Sequence, residues 1–199
     1  MIREEISVMS MLDHENVIKY IESFEDSRYM YIVMEYIQRD FFDFCATMGE
    51  QGEDAGRFFL LQIINVISHI HQKGIAHRDI KLENFGIDAD LNLKLLDFGL
   101  SSETNIECLT DLVGSPAYMA PEIHTSKEHS GTDADLFAVG VLLFCIVVGK
   151  PPFQAAFEWD TIYAHFVQDS TEFFFQLHEA EYLSKSFKDL ITSILSYDP

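Results

Sequence analysis

Apolar residues recur along this chain at two different spacings, and the change from one to the other marks out its elements. Ile2, Ile6 and Met9, flanked by Val8 and Leu12, are spaced as on one face of a helix and predict one over residues 2–12. Val17 to Phe24 and Tyr29 to Tyr36 are β-rich runs around the polar turn Glu25-Asp26-Ser27-Arg28, which predicts two strands. Phe41 to Met48 predicts a short helix, and Gly49 to Gly52 a break. A broad helical stripe then runs from Asp54 to Gln72 (Phe58, Leu61, Ile64, Ile67 and Ile70 among it) and closes at Gly74. Two short apolar runs, Phe85-Gly86-Ile87 and Leu91 to Leu96, are joined by Asp88-Ala89-Asp90 and predict a hairpin. Leu136 to Gly149 is apolar throughout. At fourteen residues it is short for a bilayer span and is expected as a buried helix, ended by Pro151 and Pro152. Trp159 to Val167 and Thr171 to Leu177 predict a helix followed by a loop, and Phe187 to Leu195 a last helix.

Polar chemistry concentrates in one place. His77-Arg78-Asp79-Ile80-Lys81-Leu82-Glu83-Asn84 is a loop between apolar segments, followed after twelve intervening residues by Asp97-Phe98-Gly99. Asp79 can accept a proton and Lys81 can neutralise phosphate charge. Asn84 and Asp97 offer the hard oxygen ligands that Mg²⁺ takes. A base, a charge clamp and metal ligands are the inventory for moving a phosphoryl group.

These motifs resemble the catalytic loop and metal-binding triplet of eukaryotic protein kinases. Gly114-Ser115-Pro116-Ala117-Tyr118-Met119 and Ala120-Pro121-Glu122 resemble the end of that family's activation segment, and Asp135 to Val141 the start of its F helix. The resemblance covers essentially the whole chain. It implies an α+β, protein-kinase-like fold: a partial small lobe over residues 1–36 and a mainly helical large lobe over 37–199. It implies Asp79 as the base, Lys81 as the phosphate clamp, Asn84 and Asp97 as Mg²⁺ ligands, and Ser115 as a positioner of a Ser or Thr hydroxyl. Toward ATP it implies the Glu35 carbonyl and Ile37 amide at adenine with Met34 as gatekeeper, and Asp40 at the ribose. Glu5, nine residues before His14, matches the glutamate that pairs with a strand lysine. Asp135 is implied to hold the catalytic-loop backbone, and Met9, Tyr20, His77 and Phe98 to stack into a column.

Departures from the pattern are as informative. No glycine-rich phosphate loop and no strand lysine precede Glu5, so both lobes are expected to be incomplete, as in a fragment of an active enzyme. Gly86 stands where an aliphatic residue packs under adenine, which predicts weaker nucleotide binding unless a neighbour fills the space. Asp111 occupies a position where many relatives carry a phosphorylated threonine, while Thr110 beside it is the rival phospho-acceptor. The expected product is a Ser/Thr protein kinase using ATP and Mg²⁺, with a general flavour of calcium/calmodulin-regulated kinases. The rivals are a kinase-like binding module without activity and, more weakly, a small-molecule phosphotransferase.

Composition adds bounds. A net charge of −20 disfavours nucleic acid and anionic membrane as partners and favours basic protein substrates. Cys45, Cys108 and Cys145 have no metal-ligand spacing and no even-numbered framework, as expected of reduced thiols in an intracellular, cytoplasmic protein. No charged-then-apolar leader is visible at the start.

Overall fold

The computed structural model describes residues 2–104, 109, 112–125, 129–168 and 171–196. Thr110, Asp111 and Cys108 lie outside these.

The first third is α+β. Helix α1 (Ile2–Met11) buries Met9 and carries Glu4 and Glu5 in its first turn, where the exposed N–H groups favour acidic charge. Strands β1 (Tyr20–Glu25) and β2 (Met30–Met34) pair antiparallel from Tyr20 opposite Met34 to Glu25 opposite Met30, with an irregularity at Ile21. Their polar turn is closed by Asp26, whose Oδ1 accepts from the N–H groups of Arg28 and Tyr29 at 2.7 Å each. Val17, predicted in the first strand, instead bridges Leu95 in parallel, and the Leu95 N–H donates to the Asn16 carbonyl at 2.7 Å. Residues 16–18 therefore fasten the β1–β2 hairpin to the rest of the chain.

The next block holds the loop of interest. A two-residue strand β3 (Arg39–Asp40) leads into α2 (Phe41–Met48) and the long helix α3 (Gly52–Gln72). After β4 (Ile75–Ala76) and a single 3₁₀ turn at Leu82–Asn84 come β5 (Phe85–Ile87) and β6 (Leu93–Leu95), the predicted hairpin. The sheet order is β3-β5-β6, and β4 pairs separately with β7 (Ser102–Glu103). Two-residue strands leave no alternation to detect, so β3, β4 and β7 were not predictable from periodicity.

The remainder is helical: α4 (Pro121–Thr125), α5 (Gly131–Val148), α6 (Thr161–Gln168), α7 (Thr171–Leu177) and α8 (Lys185–Leu195). Two expectations are corrected here. Thr171–Leu177 is a helix rather than a loop, because Phe174 and Phe175 are both buried. Helix α5 begins five residues before its apolar run, because Ser130 Oγ accepts from the Asp133 N–H and caps it. At eighteen residues α5 is long and apolar enough to cross a membrane by length and composition, yet 78% of it is buried within the fold. It is the axis of the core. A Cβ on Gly56 of α3 would come within 2.4 Å of Val147, and one on Gly140 within 2.5 Å of Ile194 of α8, so glycines set both close approaches. Cys45 and Cys145 are free, and burial pushes both thiols up to about 12, which keeps them protonated.

Candidate active site

The loop after β4 is held from beneath by one carboxylate. Asp135, 1% exposed, accepts from the His77 N–H at 2.8 Å through Oδ2 and from the Arg78 N–H at 2.7 Å through Oδ1. His71 Nε2 lies 2.8 Å from the same Oδ2. Nothing local in the sequence links His71, near the end of α3, to a residue 64 positions away. The turn this produces is tight: Arg78 has a φ of 68°, a conformation side-chain-bearing residues rarely adopt and one typical of functional loops.

Asp79 then stands at the centre of a closed set of donors. Its Oδ2 is 2.6 Å from Lys81 Nζ and accepts from Asn84 Nδ2 at 2.9 Å; its Oδ1 accepts from Ser115 Oγ at 3.1 Å. Lys81 Nζ also donates to Ser115 Oγ at 2.9 Å, and Asn84 Nδ2 to the Asp79 carbonyl at 2.7 Å. Four predicted site residues from the loop and from the segment ending in Ala120-Pro121-Glu122 are thus brought within hydrogen-bonding reach. Gly114 makes this approach possible. Its φ is 113°, and an added Cβ would sit 3.0 Å from the Arg78 carbonyl.

Asp97 follows β6 with a φ of 54°, and its Oδ1 accepts from the Gly99 N–H at 3.0 Å. Phe98 is buried against His77, with ring centroids 5.1 Å apart. The Leu96 backbone ties this segment to the loop twice, donating to the Asn84 carbonyl at 2.8 Å and facing His77 Nε2 with its own carbonyl at 3.0 Å. Asn84 and Asp97 therefore sit on one hydrogen-bonded unit.

On the nucleotide side, Gly86, Asp40 and Glu35 each meet a neighbour that the sequence did not reveal. Gly86, counted as part of a floor under adenine, leaves a space that Ile37 fills. A Cβ on Gly86 would come within 2.4 Å of Ile37 Cγ2, so the apolar contact here is supplied by Ile37, two residues before β3. Gly86→Ala is expected to destabilise the chain by about 1–3 kcal/mol through overpacking. Ile37→Ala in the same chain should recover most of that loss in a urea titration. Asp40, assigned to ribose, caps α2, its Oδ1 accepting from the Asp43 N–H at 3.1 Å. The Glu35 carboxylate takes the Lys19 N–H at 2.8 Å and Lys94 Nζ at 3.0 Å. Its carbonyl and the Ile37 N–H have no internal hydrogen-bond partner among the described residues, which leaves both open to the edge of a base.

Glu5 has a carboxylate, Asp97, as its neighbour. Its Oε2 lies on the Gly99 side of Asp97, and burial, with the Asp97 charge, raises its pKa above the usual carboxylate value. Glu122 is half-buried and meets no cation among the described residues; burial raises its pKa, and Asp133 adds to the effect. A carboxyl whose pKa is higher folded than unfolded favours folding only while protonated. That stability is full below the ordinary value of 4.5 and is lost as pH rises through the raised value. Glu122→Gln is accordingly expected to raise the thermal midpoint at neutral pH, with the gain shrinking to nothing below about pH 4. Midpoints measured across pH check both the sign and the window.

The sequence profile of the family described as Protein kinase domain matches residues 1–199. The chain belongs to the protein kinase family. It is 42% identical over 155 residues to NUAK family SNF1-like kinase 2 of Rattus norvegicus, and 41% to the Homo sapiens protein of that name. Each alignment covers 77% of this chain and 25% of the relative. CBL-interacting protein kinase 11 of Oryza sativa subsp. japonica is 35% identical over all of this chain and 39% of its own length. This chain therefore spans a quarter to two fifths of the curated relatives it matches. The α+β kinase-like fold agrees with that membership.

Kinases of this family use ATP and a divalent metal. The residues present fit the metal: an amide oxygen and a carboxylate are hard donors held on one unit. Among the described residues no cluster of three His, Cys, Asp or Glu could hold an ion alone. Mg²⁺ in such sites takes only one or two carboxylates and completes its shell with waters and phosphate oxygens.

Proposed function

We propose that this chain is the catalytic part of a serine/threonine protein kinase that moves the γ-phosphoryl group of ATP to protein hydroxyls. The carrying observation is the Asp79 carboxylate held within 3.1 Å by Lys81, Asn84 and Ser115. Both its oxygens already receive donors, and the Ser115 hydroxyl marks the direction from which an alcohol reaches Oδ1. An acceptor Ser or Thr hydroxyl takes that place, and Asp79 receives its proton as the oxygen attacks phosphorus. Lys81 spans base and alcohol and offsets negative charge on the transferring group. Asn84, through its remaining amide oxygen, and Asp97 would hold Mg²⁺, which neutralises charge on the phosphates when bound. The free carbonyl of Glu35 and N–H of Ile37 would meet adenine, with the Ile37 side chain beneath it.

Incubation with γ-labelled ATP, Mg²⁺ and basic peptides ending in a Ser, Thr or Tyr acceptor tests this. Label on Ser and Thr peptides, dependent on Mg²⁺, is expected; label on tyrosine alone overturns it. A second reading, nucleotide binding without transfer, is the kinase-like binding module. Mg·ATP binding by calorimetry with no label transferred would select it.

A further inference from the structure

Two histidines meet where the segment after α1 crosses the end of α3, and no role above uses them. The rings of His14 and His69 lie with centroids 4.9 Å apart and an interplanar angle of 37°. Both residues are partly buried. His14 Nδ1 accepts from the Asn16 N–H at 3.0 Å, so this nitrogen carries no proton in the folded chain. His69 Nε2 is buried and has no hydrogen-bond partner among the described residues.

The turn that His14 closes matters because of what Asn16 holds. Asn16 is 4% exposed; its Nδ2 donates to Gln62 Oε1 of α3 at 3.0 Å and to the Leu93 carbonyl of β6 at 2.8 Å. Gln62 Oε1 also takes the Leu93 N–H at 2.8 Å. The Val17 N–H closes back on the His14 carbonyl at 3.0 Å, and the Ile18 N–H reaches the Leu95 carbonyl at 3.0 Å. One short turn therefore joins α1 and the β1–β2 hairpin to α3 and to β6, the strand that leads into Asp97.

Protonation works against each part of this arrangement. A proton on His14 Nδ1 would set donor against donor at the Asn16 N–H, and a cationic His69 would place charge where Nε2 meets no acceptor. Two cations with ring centres 4.9 Å apart would also repel. Burial holds His69 below its ordinary value of 6.5; His14 and Lys73 act in the same direction, and Asp13 opposes them. These are the charged groups that act on His69 from its own helix and from the segment after α1. A histidine whose pKa is lower folded than unfolded supports the folded state while unprotonated. That support is full above 6.5 and is lost as pH falls through the lowered value.

We propose that His14 and His69 form an acid-sensitive latch: with both rings unprotonated the turn at residues 14–16 stays closed on α3 and β6, and mild acidification releases it together with α1 and the hairpin. Release carries Glu5 away from Asp97 and leaves the loop held by Asp135 in place. The latch goes beyond the kinase reading and does not depend on it.

Amide hydrogen exchange, followed by NMR without nucleotide and corrected for the intrinsic effect of pH on exchange, is compared at about pH 7.5 and about pH 5.5, on either side of the ordinary histidine range. Protection of the Val17, Ile18 and Leu95 N–H groups is expected to fall several-fold over that interval, while N–H groups within α5 keep theirs. His69→Gln and His14→Asn each remove a titrating ring, and the Asn Oδ1 can still accept from the Asn16 N–H. In both variants protection is expected to stay flat across the interval. The proposal is overturned if protection in the parent chain does not change with pH, or if its pH dependence survives in both variants. It is equally overturned if protection is already lost at the higher pH in both variants, as for rings that only pack, or if the α5 amides open in step, as in global acid unfolding. Label transfer plays no part, so failure of the kinase reading and failure of the latch are separate results.

Discussion

Asp79→Asn is expected to lower phosphoryl transfer by about 10²–10⁴-fold, the usual worth of a positioned general base. The amide is nearly the same shape as the carboxylate, so the loop should keep its backbone path. What is lost is the negative charge that Ser115 now meets at Oδ1 and Lys81 at Oδ2, and that an acceptor hydroxyl needs for its proton. Because Asp79 is not among the residues placed at adenine or metal, Mg·ATP affinity should change only a few-fold. The measurement is a pair: initial rates with a Ser peptide, and nucleotide binding by calorimetry on the same preparations. A rate that survives the substitution would remove Asp79 from the chemistry, whatever its position.

Asp135→Ala is expected to be the most damaging change to stability that touches no substrate. It strands the N–H groups of His77 and Arg78 and takes the partner from His71, all beneath a residue that is 1% exposed. Each orphaned buried donor costs about 1–3 kcal/mol, so a loss of about 2–6 kcal/mol follows. For a chain of this size that lowers the thermal midpoint on the order of 10 °C. Transfer should fall as well, since both stranded amides adjoin Asp79. Thermal unfolding followed by circular dichroism checks it; a loss within 0.5 kcal/mol, as for a surface change, would show that the carboxylate is not the loop's support.

Much of this site was legible in the chain because its chemistry is local. Residues 77–84 carry base, cation and amide within one loop, and Asp97 follows at a distance set by a short hairpin. Helices α3 and α5 were legible as well, one by its stripe and the other by an unbroken apolar run. The rest depended on tertiary proximity that spacing cannot encode. His71 acquires its role only because α5 places Asp135 against the end of α3. Ile37 reaches Gly86 because β3, which follows it, pairs with β5, and β3 is too short to show a strand pattern. Asp40, directly before Phe41-Phe42-Asp43, is also a helix cap, a role the resemblance alone did not bring out. Glu5 was placed correctly on its helix, yet the sequence could not say that its nearest ionised neighbour would be Asp97.

Helix α5 has a consequence for how the chain reaches this state. It is apolar on every side, and α8, which covers it at Gly140, is completed 47 residues later at Leu195. During synthesis α3 is already available to shelter the Gly56–Val147 side, while the α8 side stays open to water until α8 emerges. At ribosomal speeds that interval lasts several seconds. The nascent protein thus presents, for that time, a stripe as greasy as a membrane segment, and its yield depends on whether chaperones or self-association reach the stripe before α8 does.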